Sequence, residues 1–357
     1  MSKSPADLVR PEVLALEAYP VPPARGMVKL DAMENPYALP LDVARRLGER
    51  LAAVAVNRYP DPTAAGVKTR LRETMGIPEN LDLVLGNGSD EVLQMIAMAL
   101  ARPGAVALSL EPSFAMYRLC AIACGLRYEG VPLRADFTLD ELALIAAIQR
   151  LRPALTWISY PNNPTGNLFA RDAILRAVEA SPGLVVVDEA YYPFSGGATL
   201  LDEVGRHRNL LLVRTVSKMG LAGLRLGLAI GPREWTEQLE KLRLPYNVGA
   251  LPAAAAELLL GERAVLEAQT AAIVAERARL EAALDAIGGI RRYPSAANFV
   301  LVRVPDAPRA FEALRLRGIL VRNFHRSHPL LEHCLRLTVG TPEENGKLLE
   351  ALVPAIA

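Results

Sequence analysis

The sequence is poor in lysine and cysteine, and both shortages restrict what the chain can do. Only six of its 40 basic residues are lysines, so nearly all its positive charge is carried by arginine, which does not form Schiff bases. Its three cysteines, Cys120, Cys124 and Cys334, are too few for a disulfide framework. The first residues also lack the apolar core of a signal peptide. We therefore expect a reducing, cytoplasmic compartment.

An excess of charge and a long apolar run are also missing. The 40 basic and 39 acidic residues leave a net charge of +1, whereas nucleic-acid binding depends on a basic excess, so we expect no nucleic-acid partner. No apolar stretch approaches the roughly 18 residues that span a bilayer, so we expect no membrane association. His325, His328 and His333 lack carboxylate or cysteine partners at metal-site spacing, and we expect no metal.

Short apolar runs alternate with helical stretches from about residue 82, which predicts an α/β, doubly wound domain around a mostly parallel sheet. The predicted strands are Asp82–Gly86, Ala105–Leu110, Ala154–Tyr160, Leu184–Asp188, Leu210–Arg214 and Arg225–Ile230. The predicted helices include Ser89–Ala101 and Thr138–Arg150, the second opening with a capping-box pattern. An Ala-rich stretch, 253–287, predicts one or two helices with a break at Gly261.

The composition changes near residue 247, which predicts a second domain. After the Ala-rich helices, short strand candidates alternate with helices, a pattern typical of an α+β unit. The first 45 residues are rich in proline and indicate an extended arm. We therefore expect an arm at 1–45 that joins the small domain, a large cofactor-binding domain at 46–247, and a small C-terminal domain at 248–357.

Lys218 follows the predicted strand Leu210–Arg214 and lies among hydroxyl residues and glycines. An amine at the end of a buried strand loses its proton readily and can act as a Schiff-base nucleophile. The hydroxyls of Thr215 and Ser217, with Arg225 seven residues after the lysine, suit a phosphate group. Taken alone, the stretch fits equally well a surface loop with a salt-bridging lysine.

Two further strand ends carry polar side chains. Asp188 ends the run Leu184–Asp188 and could pair with a cationic ring nitrogen, while Tyr191 could bond a phenolic oxygen. A Mg²⁺-binding acid or a helix cap are alternatives for Asp188, although the chain has no GxxxxGK[ST] loop. Asn163 offers an amide donor at the same sheet edge, or belongs to an ordinary turn.

A glycine-rich turn, Gly86–Asp90, joins a predicted strand to a predicted helix. Backbone N–H groups at such a helix start bind anions, but any strand-to-helix turn can carry glycine. Together, the four stretches supply an amine, a carboxylate, a tyrosine, an amide and a phosphate cradle. This combination predicts pyridoxal 5′-phosphate as the cofactor.

These stretches belong to an ordered series that runs from Leu30-Asp31-Ala32-Met33-Glu34-Asn35-Pro36-Tyr37 to Leu335-Arg336-Leu337-Thr338-Val339-Gly340-Thr341. In that order and spacing, the sequence resembles the fold-type I, aspartate-aminotransferase-like enzymes and, among them, the histidinol-phosphate aminotransferases. The resemblance covers most of the chain. It implies a transaminase of histidine biosynthesis that interconverts L-histidinol phosphate and 2-oxoglutarate with imidazole-acetol phosphate and L-glutamate.

The resemblance also implies which residues contact the cofactor. They are Tyr59, Gly88, Ser89, Asp90, Phe114, Asn163, Asp188, Tyr191, Thr215, Ser217, Lys218 and Arg225. Among them Lys218, Asp188 and Tyr191 would be catalytic: the lysine would bind the cofactor and move a proton, the aspartate would keep the ring nitrogen protonated, and the tyrosine would bond the ring oxygen. Phe114 would stack on the ring, although by itself it fits a core aromatic equally well. Some family members place the phosphate-binding arginine eight residues after the lysine, so the seven-residue spacing here predicts a different loop geometry.

Substrate binding is implied for Tyr19, Asn163, Arg322 and Arg336. Arg336 would meet the substrate phosphate, Arg322 would be a second cation or a surface salt bridge, and Tyr19 would be a lid contact. Tyr59 looks like the family tyrosine that reaches the neighbouring subunit's cofactor, which implies a homodimer with shared active sites. An aromatic amino-acid aminotransferase or a phosphothreonine decarboxylase of the same fold is the alternative. A non-catalytic sensor domain or a structural α/β scaffold explains the four stretches less well.

Overall fold

Two β-sheets organise the residues that the computed structural model describes, which are 4–18 and 22–356. The larger sheet has seven strands: β2 (Asp82–Asn87), β3 (Val106–Glu111), β4 (Arg127–Pro132), β5 (Leu155–Ser159), β6 (Leu184–Asp188), β7 (Leu210–Thr215) and β8 (Leu226–Gly231). The smaller has five: β1 (Val28–Leu30), β9 (Arg291–Arg292), β10 (Phe299–Arg303), β11 (Ile319–Asn323) and β12 (Cys334–Thr338).

The larger sheet has the strand order β2-β8-β7-β6-β5-β3-β4, and only β8 runs antiparallel to its neighbours. Its strands are apolar on both faces because both faces are covered: along β6, Val185 and Val187 pack into one hydrophobic cluster, and Leu184 and Val186 into another. This confirms the predicted mostly parallel, doubly wound sheet. Parallel strands β5, β6 and β7 end together at one edge, which positions the polar residues that follow them.

The smaller sheet has the order β1-β11-β12-β10-β9 and is antiparallel except where β1 pairs in parallel with β11. Strand β1 comes from the N-terminal part of the chain, so residues 28–30 are joined to strands nearly 300 positions later. A separate hydrophobic cluster covers this sheet. The division of the chain into an arm and two domains stays a prediction.

Thirteen α-helices lie in the described residues. They are α1 (Pro5–Leu8), α2 (Pro11–Leu14), α3 (Leu41–Ala52), α4 (Ala65–Met75), α5 (Ser89–Leu100), α6 (Ala115–Cys124), α7 (Glu141–Leu151), α8 (Arg171–Ala180), α9 (Arg233–Glu240), α10 (Ala250–Leu259), α11 (Arg263–Asp285), α12 (Ala307–Leu316) and α13 (Pro342–Ile356). Across those two ranges, no helix combines the length and the apolar character that crossing a membrane requires. The Ala-rich stretch forms two helices, α10 and α11, and the break falls at the predicted Gly261.

Three local predictions need correction. The helix predicted from Thr138 begins at Glu141, because Asp136 accepts the Thr138 hydroxyl and Asp140 caps the helix by accepting the Ala143 N–H at 3.1 Å. Strand β4 was not predicted, since its sequence contains glycine, proline and two charged residues. The arm is not uniformly extended, because it contains the short helices α1 and α2.

Candidate active site

A cavity of about 240 Å³ opens where β5, β6 and β7 end. It is lined by Ala32, Met33, Glu34, Ser89, Asp90, Phe114, Ser159, Asn163, Asp188, Ala190, Tyr191, Thr215, Ser217, Lys218, Ala222 and Arg225. The four polar stretches that the sequence singled out therefore meet in one place. They do so because each follows a strand whose end faces the same edge of the sheet.

Lys218 lies in a short 3-10 turn, Ser217–Met219, directly after β7. Gly220 has a φ of 107°, in the left-handed region that favours glycine, and turns the chain back after the lysine. The Nζ atom of Lys218 donates to the carbonyl oxygen of Ala32 at 3.2 Å. Burial, with the positive charge of Arg336 nearby, lowers the pKa of the Lys218 amine to about 8, so roughly a tenth of it is uncharged at pH 7.

Asp188, at the end of β6, is 3 % exposed. Its Oδ2 accepts from the Tyr117 hydroxyl at 2.9 Å, and its Oδ1 accepts from the Ala190 N–H at 3.0 Å. Burial raises the pKa of this carboxyl to about 6, although the two hydrogen bonds oppose the rise. The Tyr117 ring stacks on Trp157, with centroids 5.5 Å apart, which holds the hydroxyl in place.

Asn163 joins the cavity to the smaller sheet. Its Nδ2 donates to the Tyr191 hydroxyl at 3.1 Å, and its Oδ1 accepts from Arg336 Nη1 at 2.5 Å. The Arg336 guanidinium also lies 5.2 Å from the ring centroid of Phe299 and 5.3 Å from that of Phe324. A cation held by two aromatic rings and an amide is fixed in direction, so Arg336 is a candidate anion-binding residue beside Asn163.

Arg322 is the cross-strand neighbour of Arg336, since the two residues face each other in the antiparallel register of β11 and β12. Directly opposed side chains share one face of a sheet, so the two arginines project from the same face of β11 and β12. This pair is therefore a candidate site for a doubly charged group.

The turn between β2 and α5 forms a second candidate anion site. Gly88 has a φ of 83°, which favours glycine, and a Cβ there would lie 2.5 Å from Arg225 Nη2, so any other residue would also displace the guanidinium. A Cβ on Gly227 would lie 2.2 Å from the Ser89 nitrogen, so that glycine lets the turn rest against β8. The carboxylate of Asp90 lies 3.9 Å from Arg225.

Two hydroxyls face the same turn. The Oγ1 of Thr215 lies 2.9 Å from the Oγ of Ser217, and both residues line the cavity with Arg225. The spacing of seven residues between Lys218 and Arg225 is accommodated by two 3-10 turns and by a left-handed φ of 52° at Arg225. Two hydroxyls, a guanidinium and the backbone N–H groups at the start of α5 are donors that suit a phosphate.

Ten of the fifteen residues predicted for the site line the cavity, and four of the other five lie at its margins or apart from it. Gly88 contributes to the anion turn, and Arg322 and Arg336 lie on the smaller sheet. Tyr59 is 81 % exposed and stacks on Tyr246, with centroids 4.4 Å apart, outside this chain's cavity. Tyr19 lies outside the described residues. The roles of all these residues stay predictions.

Sequence reasoning missed several residues of the site. Tyr117 and Ser159 were not predicted, although Tyr117 lies three residues after Phe114 and Ser159 ends β5 as Asp188 ends β6. Ala32 takes part only through its carbonyl oxygen, which any residue type supplies. The signal that could have found Ser159 is its place at a strand end.

A buried ion pair supports the cavity from behind. Arg214 donates to Glu189 Oε2 from Nε at 2.9 Å and from Nη2 at 2.8 Å, and both side chains are almost wholly buried. Glu189 also accepts from the Thr199 hydroxyl and the Leu200 N–H. Because Glu189 follows Asp188 directly, this pair holds the end of β6 against β7. Both residues also line a second cavity, of about 540 Å³.

Comparison with known proteins agrees with this geometry. The family model for aminotransferases of class I and II matches residues 25–352. A histidinol-phosphate aminotransferase of Chromobacterium violaceum is 53 % identical over 345 residues, 97 % of each chain, and one of Burkholderia mallei is 50 % identical over 354 residues, 99 % of each chain. The crystal structure of histidinol-phosphate aminotransferase from Sinorhizobium meliloti in complex with pyridoxal-5′-phosphate is similar in fold. Its TM-score is 0.87, with 24 % identity over 98 % of this chain and 97 % of that one.

Proposed function

The chain belongs to the class I and II aminotransferase family, and from that membership we propose that it is a pyridoxal-phosphate-dependent histidinol-phosphate aminotransferase. The reaction would interconvert L-histidinol phosphate and 2-oxoglutarate with imidazole-acetol phosphate and L-glutamate, in histidine biosynthesis. The observation that carries the proposal is the meeting of the Lys218 amine, the Asp188 carboxylate and the Arg225 anion turn around one cavity. Relatives at about half identity over nearly the whole chain bear the same name.

The residues of the cavity fit this cofactor. A fully buried carboxylate such as Asp188 is unfavourable by itself, and its raised pKa records that penalty. A cationic ring nitrogen beside it would remove the penalty. The turn at Gly88 and the hydroxyls of Thr215 and Ser217 supply donors for a phosphate at the other end of the cavity, with Arg225 as its counter-charge. When bound, pyridoxal phosphate supplies the electron sink that makes the substrate's α-proton acidic.

Lys218 would carry the cofactor and then move the proton. Its amine, with a pKa of about 8, is available as a nucleophile near neutral pH. Once the substrate amine has displaced it, the released Nζ would be placed to accept the proton of the substrate's α-carbon and to donate it again. Ala32 accepts an N–H from Nζ, which directs the lone pair of the free amine away from that carbonyl.

The other residues would hold the ring. Asp188, fixed by Tyr117, would keep the ring nitrogen protonated, while Tyr191 and Asn163 would bond the ring oxygen. Phe114 lines the cavity and would pack on the ring face. Because Asn163 also accepts from Arg336, cofactor and substrate contacts would be linked through a single amide.

Two opposed arginines support the choice of a phosphorylated substrate. Histidinol phosphate has no carboxylate, and its phosphate carries up to two negative charges. Arg336 and Arg322, paired across β12 and β11, would match that charge. Tyr19, which we propose as a lid contact, lies outside the described residues.

We propose further that the enzyme is a cytoplasmic homodimer with shared active sites. Tyr59 and Tyr246 form an exposed stacked pair, and Val56 and Leu244, at 73 % and 68 % exposure, are exposed apolar residues nearby in sequence. A second copy could cover them, with Tyr59 reaching the partner's cofactor phosphate.

Mixing Tyr59→Ala chains with Lys218→Ala chains would create one intact site per mixed dimer. Recovered activity is expected on mixing, and none would be recovered if each chain's site were self-contained.

A substrate panel tests the activity. The purified holoenzyme is offered L-histidinol phosphate, phenylalanine, tyrosine, aspartate and phosphothreonine, and the absorbance change from the pyridoxal to the pyridoxamine form of the cofactor is followed. Histidinol phosphate should convert the cofactor fastest, and 2-oxoglutarate should restore it. Preferred turnover of phenylalanine would indicate an aromatic amino-acid aminotransferase, and release of CO₂ from phosphothreonine would indicate a decarboxylase; either result would overturn the substrate assignment.

A further inference from the structure

Three successive backbone carbonyls face three side chains of the site. In the acceptor segment, Asp31–Met33, the oxygen of Asp31 accepts from Arg336 Nη2 at 2.7 Å, that of Ala32 from Lys218 Nζ at 3.2 Å, and that of Met33 from Asn298 Nδ2 at 2.9 Å. The segment thus contacts both the lysine and the arginine on which the proposed reaction depends. It belongs to neither the Lys218 loop nor the smaller sheet's β12.

An extended chain does not present three neighbouring carbonyls to one site, because successive carbonyls point to opposite sides of a strand. The acceptor segment does so because Met33 has a φ of 52°, a left-handed conformation that is uncommon for residues other than glycine. Such a conformation persists only where the surrounding structure holds it. The contacts that hold Met33 therefore decide where the carbonyls point.

Met33 is held at both of its backbone polar groups. Its carbonyl accepts from Asn298, and its N–H donates to the Oγ1 of Thr338 at 3.1 Å. Thr338 is 2 % exposed and lies two residues after Arg336 on β12, so the two side chains share one face of the strand. The hydroxyl thus fixes the turn from the same strand that carries the proposed substrate arginine.

We propose that Thr338 is a positioning residue for transamination, because its hydroxyl holds the turn that brings the Ala32 carbonyl to the Lys218 amine and the Asp31 carbonyl to Arg336. This proposal rests on the proposed function for its role in turnover. It concerns the free amine of Lys218, whose N–H must have an acceptor whenever the lysine is not bonded to the cofactor. The acceptor segment supplies one, and Thr338 keeps it in place.

Removing the hydroxyl has a measurable consequence for Lys218. A carbonyl that accepts from an amine favours the charged form, so a displaced Ala32 carbonyl lowers the pKa of the lysine further. In Thr338→Val, which keeps the shape and the strand preference of threonine, the pKa should fall by about one unit from about 8, since one unit corresponds to roughly one net hydrogen bond. Thr338→Ser keeps the hydroxyl and should restore the wild-type value.

The measurement uses the full-length, cofactor-free protein. The rate at which acetic anhydride acylates each lysine is followed against pH, and peptide mass spectrometry resolves Lys218 from the other five lysines. Thr156→Val is a matched control, since Thr156 is a fully buried threonine on β5 whose Oγ1 has no hydrogen-bond partner among the described residues. It should leave the Lys218 profile unchanged.

An unchanged Lys218 pKa in folded Thr338→Val would overturn the proposal, and so would a shift that Thr338→Ser fails to reverse. If Thr338→Val does not fold, Thr338→Ala, which removes the hydroxyl without a replacing methyl group, takes its place with the same expected shift. The readout needs neither substrate nor cofactor. A wrong substrate assignment would therefore leave it intact, and a failure here would leave the substrate panel intact.

Discussion

Replacing Asp188 by asparagine should stabilise the cofactor-free protein, although it should damage the holoenzyme. No cation among the described residues forms an ion pair with the wild-type carboxyl, and burial raises its pKa from the ordinary 3.8 to about 6. A raised pKa in the folded state means that the folded protein holds a proton more firmly than the unfolded chain does. The firmer proton binding contributes to the free energy of unfolding. This contribution is fully present below pH 3.8 and is lost as the pH rises through about 6.

The magnitude follows from the shift. About two pKa units correspond to on the order of 3 kcal/mol, which wild type loses between about pH 4 and pH 7 and which Asp188→Asn does not lose. The asparagine can still accept from the Ala190 N–H, and its amide can donate to the Tyr117 hydroxyl, so the hydrogen-bonding pattern survives. In thermal unfolding of the cofactor-free protein, the variant should therefore gain several degrees over wild type at pH 8 and only about a third as much at pH 4.5.

Adding pyridoxal phosphate should reverse the order, because the ring nitrogen then pairs with the carboxylate of wild type and not with the amide of the variant. Asp172→Asn is the control, since Asp172 is an exposed carboxylate on α8. Its unfolding temperature should match that of wild type at both pH values. An equal difference in unfolding temperature between cofactor-free Asp188→Asn and wild type at pH 4.5 and pH 8 would refute this prediction.

Three further perturbations have expected outcomes. Tyr117→Phe removes a hydrogen-bond donor to Asp188, so the pKa of that carboxyl should rise further. The affinity for pyridoxal phosphate, measured by fluorescence titration, should fall about tenfold. An unchanged affinity would contradict a role for this hydrogen bond in cofactor binding. Arg336→Lys keeps the charge but loses the forked donors, so KM for histidinol phosphate should rise at least tenfold with a smaller change in kcat, and an unchanged KM would count against the substrate site. Arg214→Met leaves Glu189 buried without its ion-pair partner, which should lower the free energy of unfolding by about 3–5 kcal/mol. Chemical denaturation measures this loss, and the double variant Arg214→Met/Glu189→Leu should recover part of it.

The sequence was sufficient to predict six of the seven strands of the large sheet and the centre of the site, because both depend on local patterns. Asp188 and Lys218 each follow an apolar strand directly, and parallel strands bring such ends to one edge of a sheet. The order of the strands and the reversed direction of β8 did not follow from the sequence, because no local pattern specifies which strands become neighbours.

The supporting contacts could not be predicted, because they join distant positions without a characteristic residue type. Tyr117 lies 71 residues from Asp188, and Asn163 lies 173 residues from Arg336. The helix start predicted at Thr138 failed for a local reason: two side chains competed as caps, and Asp136 bound the threonine hydroxyl instead.

Of the six lysines in the chain, we propose that Lys218 is the one that binds pyridoxal phosphate covalently. Reducing the holoenzyme with borohydride makes such a bond permanent, and peptide mass spectrometry then identifies the modified residue. We expect the modified peptide to contain Lys218. We expect no label on Lys218→Arg, which keeps the charge but cannot form the bond. Modification of a different lysine, or an unmodified Lys218 in a protein that turns over histidinol phosphate, would contradict it.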